Sequence, residues 1–413
     1  MSNPIEVATH QGASLPSGVV QFVPTVERIL YGVGIAEAHV GAEVARLGGE
    51  RVLILMPRSL ERSLLAAGVR AALGTRLAGD FARPLEHVPL EGAIAAAAAA
   101  RRCRADLVVA LGGGSVIDTG KALRACLAAG ITSPEALGTF MEHPVPPEGT
   151  WIPQVSIPTT LSGSEYTRSF SATDFTRGLK RSYTHSAVAS RIILYDPVAT
   201  LETPMSLWLA SGVMAIDHAV EVFCGSPKHL VGDTLKLASL QELLTYLPRT
   251  LEAPEDLEAR LRCQVAAWQA DHSPLRAQPL APVTVALHSH ALAYELGALC
   301  RVPYGISACV TLPACLRWCA AHLPQAASRQ AVLARSLGLV SPEGSDSDAA
   351  QHLADGLEAL IKRLGLPTRL RDVGVAPQDL QRTAHQFTVR GAVPAGAGAS
   401  TEIEVLMLLE SAW

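Results

Sequence analysis

The stretch Asp106-Leu-Val-Val-Ala-Leu-Gly-Gly-Gly-Ser-Val-Ile-Asp-Thr-Gly-Lys121 decides how this chain is read. After Asp106, its first residues to Leu111 are a short apolar run of the kind that forms a buried strand. Three consecutive glycines and a serine follow, and then a helical pattern. A glycine triplet lets backbone approach an anion with no Cβ in the way. The amides of Gly113, Gly114 and Ser115, at the N-terminal end of the new helix, would point at a pyrophosphate, and the helix dipole adds positive charge there. Gly112, Gly113, Gly114 and Ser115 are therefore candidate cofactor-binding residues. A plain tight turn accounts for two glycines, not for a triplet plus serine set between a strand and a helix.

Outward from this turn the first half alternates. Arg51 to Met56 reads as a second buried strand, and an alanine-rich helix from Leu90 to Cys103 lies between the two. This β-α-β order is the signature of a parallel sheet. Trp151 to Ile157 and Arg191 to Tyr195 are further strand candidates. From Thr203 onward strand signals nearly vanish. Thr203-Pro204 pairs a capping hydroxyl with a proline at the first helical position. Leu235, Leu240, Leu243, Leu244 and Leu247 keep helical spacing, and similar patterns run through 257–270, 284–298, 325–337 and 348–364. The expected organisation is an α/β dinucleotide-binding domain with a Rossmann-like parallel sheet at residues 1–199, and an all-α domain at 200–413. Val393 to Ser400 is expected to be a surface loop.

Composition narrows the function. The 413 residues are 49% hydrophobic and 17% charged, which permits a large core and argues against disorder. A formal net charge of −4 gives no positive field for nucleic acid or an anionic membrane. No apolar run approaches the roughly 20 residues a bilayer span needs, and Met1 to Gln11 lacks a signal-peptide pattern, so a cytoplasmic location is expected. Eight cysteines contain no C-x-x-C pair. Cys315 and Cys319 share a helical face, and core packing is the expected role of most of the eight.

Several further motifs occur in a fixed order: Pro158-Thr-Thr-Leu-Ser-Gly-Ser-Glu165, Leu179-Lys180, Tyr195-Asp-Pro197, Gly212-Val-Met-Ala-Ile-Asp-His-Ala-Val-Glu221, Leu296-Gly297 and Pro303-Tyr-Gly305. With the glycine turn, they resemble the iron-dependent, or group III, alcohol dehydrogenases, from about residue 20 to Trp413. Leu366-Pro-Thr-Arg-Leu370 and the C-terminus from Leu408 to Trp413 look most like maleylacetate reductases within that superfamily. The resemblance implies the dehydroquinate synthase-like fold, a homodimer joined through the N-terminal half, and NAD or NADP as cofactor. It makes Thr159, Thr160 and Ser162 the second nucleotide loop, gives Lys180 a contact with the nicotinamide ribose, and sets Asp118 and Glu165 on the cofactor side or in loop support. Pro57 stands where many relatives carry an aspartate for the adenosine ribose, so repulsion of a 2′-phosphate is absent and Arg58 could attract one.

The same resemblance implies a metal site of one aspartate and three histidines. Here those positions are Met214, His218, His290 and Tyr304, and a further active-site histidine is Tyr294. Two imidazoles without that carboxylate would hold a divalent ion weakly, and a thioether is a soft substitute for a hard ligand. Asp217 neighbours His218, but successive helical residues diverge by about 100°; His288 likewise diverges from His290. No metal is expected. Maleylacetate reductases also lack the aspartate, but they keep histidines where this chain has Tyr294 and Tyr304, and tend to carry a lysine at Ala291.

The chemistry left to the cleft is that of His218, His290, Tyr294 and Tyr304: phenols to donate to a developing oxyanion, imidazoles to move a proton. Arg168 could bind a substrate carboxylate by a two-pronged hydrogen bond. His185 is expected at the surface. Three readings follow. One is a metal-independent NAD(P)H reductase of a small, carboxylated carbonyl compound or activated alkene. The second is a lyase, dehydratase, isomerase or cyclase using the tyrosine–histidine pocket. The third is a silent binding subunit.

Overall fold

A computed structural model describes residues 18–22, 26–83, 86–145, 147, 149–226, 228–271, 275–279, 289–389 and 401–413. Strands β1 (Gly18–Phe22) and β2 (Arg28–Tyr31) lead into helix α1 (Ile35–Arg46). Then come β3 (Val52–Leu55), α2 (Leu64–Leu73), β4 (Leu77–Phe81), α3 (Leu90–Cys103), β5 (Leu107–Gly112), α4 (Gly114–Ala128) and α5 (Pro134–Glu142). Strand β6 (Gln154–Pro158), the hairpin β7 (Ser169–Asp174) and β8 (Leu179–Thr184), and β9 (Ile192–Tyr195) complete the first half. Six strands form one sheet in the order β2-β9-β6-β5-β3-β4, parallel throughout.

Every residue of β3, β5, β6 and β9 is buried. That is why these strands read as continuous apolar runs: helices cover both faces. Alternate residues feed two cores. Val52, Ile54, Leu107 and Val109 pack with α1 and α2. Leu53, Leu55, Val108 and Ala110 pack with α3, α4 and α5. From β3 the chain winds outward to β4, then returns to β5 and winds the other way to β6 and β9. The reversal lies between β3 and β5, where open α/β sheets bind ligands outside the carboxyl ends of their strands. Met56-Pro57 and Gly112 to Gly114 leave the sheet at that point.

The second half is helical: α6 (Met205–Gly225), α7 (Leu230–Glu252), α8 (Leu257–Asp271), α9 (Ser289–Cys300), α10 (Tyr304–His322), α11 (Pro324–Ser336), α12 (Asp346–Arg363), α13 (Pro377–Val389) and α14 (Glu402–Ala412). Helix α6 is long and apolar enough to cross a membrane, but it is buried among its neighbours. All eight cysteines are free and none is exposed, including Cys315 and Cys319.

Two expectations need correction. The second half is not purely helical, because β10 (Leu275–Pro279) pairs antiparallel with β1. Its sequence, Leu-Arg-Ala-Gln-Pro, is short, ends in proline and has no β-branched or aromatic residue. Thr203 does not cap α6. Pro204 is the cap residue, and the Thr203 hydroxyl donates to the Thr159 carbonyl at 2.9 Å, tying α6 to the loop after β6. The expected loop at 393–400 and His288 lie outside the described residues.

Candidate active site

The glycine turn is built by two loops closing on each other. Gly113 precedes α4 with no side chain capping the helix, which leaves its first amides available to an anion. A Cβ at Gly113 would stand 2.9 Å from Thr160 Cγ2, and one at Gly114 2.7 Å from Ser162 Oγ. Only glycine permits this approach. The hydroxyls of Thr160 and Ser162 are buried and have no hydrogen-bond partner. Buried donors without partners are costly, and diphosphate oxygens would satisfy them. The cradle therefore fits a dinucleotide, held by the first turn of α4 and by Thr160 and Ser162. Pro57 packs beside it, its Cδ 3.1 Å from a Cβ placed on Gly112.

Asp118 and Lys121, one and two helical turns into α4, fasten the second loop. The Lys121 ammonium is fully buried and donates to the carbonyls of Ser164, Thr167 and Ser169 and to the Thr167 hydroxyl at 2.8 Å. Burial pushes its pKa down to about 8. Asp118 accepts from the Ser164 hydroxyl and, at 3.2 Å, from the Ser171 amide. Asp118 thus works as loop support. Glu165 does so too, accepting from the buried Tyr195 hydroxyl at 2.9 Å. Ser115 accepts from Thr119 through its carbonyl at 2.6 Å.

The second cluster joins α6, α9, α10 and the β7–β8 hairpin. The His290 ring lies 4.8 Å from that of His218, 5.3 Å from Tyr294 and 5.2 Å from Tyr304, and the two tyrosines are 5.1 Å apart, edge to face. All four of these sequence candidates therefore meet. Tyr294 shares a 3.0 Å hydrogen bond with Ser171, and the Tyr304 hydroxyl donates to the His290 carbonyl at 3.3 Å. The Lys180 ammonium sits over both phenol rings, 4.3 Å from the centre of Tyr294 and 4.7 Å from Tyr304. The family resemblance implies a Lys180 contact with the cofactor; its position against the tyrosines has no sequence signal, because hairpin and helix meet only in the fold.

Burial governs the protonation states. It pushes Lys180 down to about 8, against the pull of the Asp118, Glu295 and Glu86 carboxylates. It lowers His218 to about 4 and drives His290 well below the ordinary range, helped there by His218 and Lys180. Both phenols rise, Tyr304 strongly. Near neutral pH the cluster therefore contains neutral imidazoles, protonated phenols and one largely protonated amine.

Arg168 lies at the bend that leads into the β7–β8 hairpin. It precedes β7 by one residue, and its carbonyl accepts from the His185 amide at 2.9 Å. His185 is half-buried rather than at the surface; it stacks on Trp151 at 5.2 Å and accepts from the Ala187 amide.

The positions the resemblance assigns to a metal do not fit one. Met214 is buried as part of the apolar helix, and Tyr304 is a protonated phenol. Asp217 needs a correction. It diverges from His218 around α6, but α9 approaches between the two. His290 reaches the groove between the two residues, and its Nδ1 lies 4.0 Å from Asp217 Oδ2. Glu221, one turn along from Asp217, accepts from the His290 amide at 2.9 Å. Asp217, Glu221 and His290 offer ligand atoms within 4.8 Å of one another. Carboxylates are thus present, displaced along α6 from the position of Met214. Burial pushes Asp217 up to about 7; burial and the charge of Asp217 push Glu221 well above its usual range. The 217/221 pair shows in the sequence as an i, i+4 carboxylate spacing.

The chain matches the family described as iron-containing alcohol dehydrogenase over residues 26–197, and that family's C-terminal domain over residues 208–413. It is 31% identical over 363 residues to a maleylacetate reductase of Burkholderia cepacia, covering 88% of this chain and 89% of that protein. The crystal structure of maleylacetate reductase from Rhizobium sp. strain MTP-10005 superposes with a TM-score of 0.72 at 26% identity, covering 96% of this chain and 98% of the other. A sulfoacetaldehyde reductase from Bifidobacterium kashiwanohense, solved in complex with NAD+, shares the fold with a TM-score of 0.77 at 20% identity, covering 95% and 98% of the two chains.

Proposed function

This chain belongs to the iron-containing alcohol dehydrogenase family and is an oxidoreductase, and from that premise we propose that it is an NAD(P)H-dependent reductase of a small carboxylated ketone, or of an alkene conjugated to one, that works without a metal ion. The observation that carries this reading is the Lys180 ammonium, seated over Tyr294 and Tyr304 and beside His290. A buried cation flanked by protonated phenols supplies what a Lewis acid supplies elsewhere: fixed positive charge where an oxygen becomes negative.

When bound, the nicotinamide supplies a hydride. The amides at the start of α4, with Thr160 and Ser162, hold the diphosphate. Lys180 donates to the substrate oxygen and gives it a proton, and the Tyr304 hydroxyl turns from the His290 carbonyl, 3.3 Å away, to donate to that oxygen as well. An amine near 8 is matched to that task at neutral pH. His290, kept neutral by burial and by His218 and Lys180, relays protons from the 217/221 carboxyl pair, whose pKa values burial raises. The likeness to maleylacetate reductases supports a substrate of that kind. Free cysteines throughout fit a reducing cytoplasm, and a homodimer acting on a small molecule completes the proposal.

The test is turnover of NADH and NADPH with maleylacetate, in enzyme stripped by a chelator and assayed for metals. Net cofactor oxidation unchanged by stripping is expected. One iron, manganese or zinc per chain, with activity lost on its removal and restored on its return, would sink the metal-free reading and place the ion with Asp217, Glu221 and His290. Turnover without net cofactor oxidation would instead favour a lyase or isomerase.

A further inference from the structure

One residue near the cluster has no role in the account above. His87 and Val88 both have left-handed backbone, with φ of 63° and 53°. For a β-branched residue such as Val88 that is a genuine outlier. Strain of this kind persists where the surroundings over-determine it, most often at functional sites. Here Thr173 of β7 does the holding. Its amide donates to the Val88 carbonyl at 2.9 Å and its hydroxyl to the His87 carbonyl at 2.7 Å. Thr173 is paired directly across the hairpin with Lys180, so their Cβ atoms lie about 5 Å apart. The strained turn is thereby pinned opposite the amine assigned to the substrate oxygen.

The imidazole itself is 8% exposed, and its Nε2 is buried without a partner. Its other edge lies against Gly297 of α9, one turn beyond Tyr294; a Cβ there would stand 3.2 Å from His87 Nδ1. Phe175 meets the ring edge-on at 6.2 Å and carries the Arg301 guanidinium on its own face at 4.9 Å. Burial first, then Lys180 and Arg301, push His87 down to about 4. Burial keeps the ring neutral, while Lys180 and Arg301 add positive charge beside it, partly offset by the Glu86 and Glu295 carboxylates that face Lys180.

We propose that His87 is a specificity-determining residue, whose Nε2–H, with Lys180 and the positive field of Arg301, holds a carboxylate of the substrate. This deepens the reductase reading and rests on it. The geometry separates two roles: backbone strain positions the imidazole, and its unsatisfied nitrogen selects a charged substrate over a neutral one.

The experiment uses the enzyme loaded with NADPH or NADH, titrated calorimetrically with fumarate and with dimethyl fumarate as neutral control. Steady-state kinetics with maleylacetate run alongside. His87→Ala should weaken fumarate at least tenfold and raise KM for maleylacetate similarly, with kcat and NAD(P)H affinity changed by less than threefold. The control ester should be indifferent to the change. His87→Gln, which keeps an N–H donor, should recover part of the loss. Gly297→Ala, which displaces the ring without removing it, should reproduce the effect more weakly. If His87→Ala leaves fumarate binding unchanged, or weakens fumarate and its ester equally, the proposal is overturned while the reductase reading stands. If wild-type protein fails to bind NAD(P)H, both fall.

Discussion

At the glycine turn everything a diphosphate needs is present, whereas in the helical pocket two of four positions that would hold a metal carry a thioether and a phenol. The difference follows from how each site is made. The cradle is backbone: amides at the start of α4, freed by glycines and closed over by a second loop that Lys121 ties down. Such a site is altered only by altering the chain path. The pocket is made of side chains projecting from α6, α9 and α10, and each can be replaced while the helices keep packing. Met214 shows the consequence, since it is buried as comfortably as its apolar neighbours Val213 and Ala215.

The sharpest break in that comparison is Gly113→Asp. The new Cβ would meet Thr160 Cγ2 at 2.9 Å and carry a carboxylate into the anion's place. NAD(P)H affinity should fall beyond detection in a fluorescence titration, more than 100-fold, or about 2.7 kcal/mol. Unchanged affinity would remove the cofactor from this turn. The substitution should leave the helical pocket untouched, so binding of a substrate analogue to the pocket should survive where cofactor binding does not.

Next in size is Lys180→Met. Removing a fixed charge from a water-poor site typically lowers kcat by 10²- to 10³-fold. The family resemblance implies a Lys180 contact with the nicotinamide ribose, while the structure sets it over two tyrosines. A loss in kcat with cofactor affinity retained supports the second role; a rise in the cofactor dissociation constant with kcat retained supports the first. The pH profile gives an independent readout. The active amine is the protonated one, and burial lowers it to about 8. Activity should hold below that pH and fall tenfold per unit above it, and this limb should vanish from the residual activity of Lys180→Met.

How far sequence alone reached also divides between the two regions. The strands from Arg51 and Asp106 and the helix Leu90 to Cys103 were legible because buried parallel strands are uninterrupted apolar runs and helices keep their period. The cradle was legible because its function is local: strand, glycines and helix are consecutive residues. The hairpin β7–β8 was not, since Leu179–Thr184 carries polar residues on both faces and the alternation in Ser169–Asp174 rests on only Phe170 and Ala172. That omission hid both Lys180's place over the tyrosines and the His87 turn pinned by Thr173, for these depend on pairing at a distance. Asp217 was misjudged for a similar reason. Helical angle tells which residues of α6 share a face, not where α9 will lie against it.

The smallest of these effects is expected from Tyr304→Phe, and it is the one that weighs phenol against ammonium. Tyr304 keeps its proton, because burial and the nearby Tyr294, Asp217 and Glu221 push its pKa well up. It can therefore donate a hydrogen bond to a developing oxyanion but not the proton itself. Losing one neutral donor while Lys180 remains should lower kcat about tenfold, near 1.4 kcal/mol, with KM changed little. The ring is retained, so its edge-to-face contact with Tyr294 and its place under Lys180 persist. If Tyr304→Phe proves as damaging as Lys180→Met, the two act as one unit, and a double variant will lose no more than either alone. If kcat does not change, Tyr304 is packing, and the charge in this pocket is carried by the lysine.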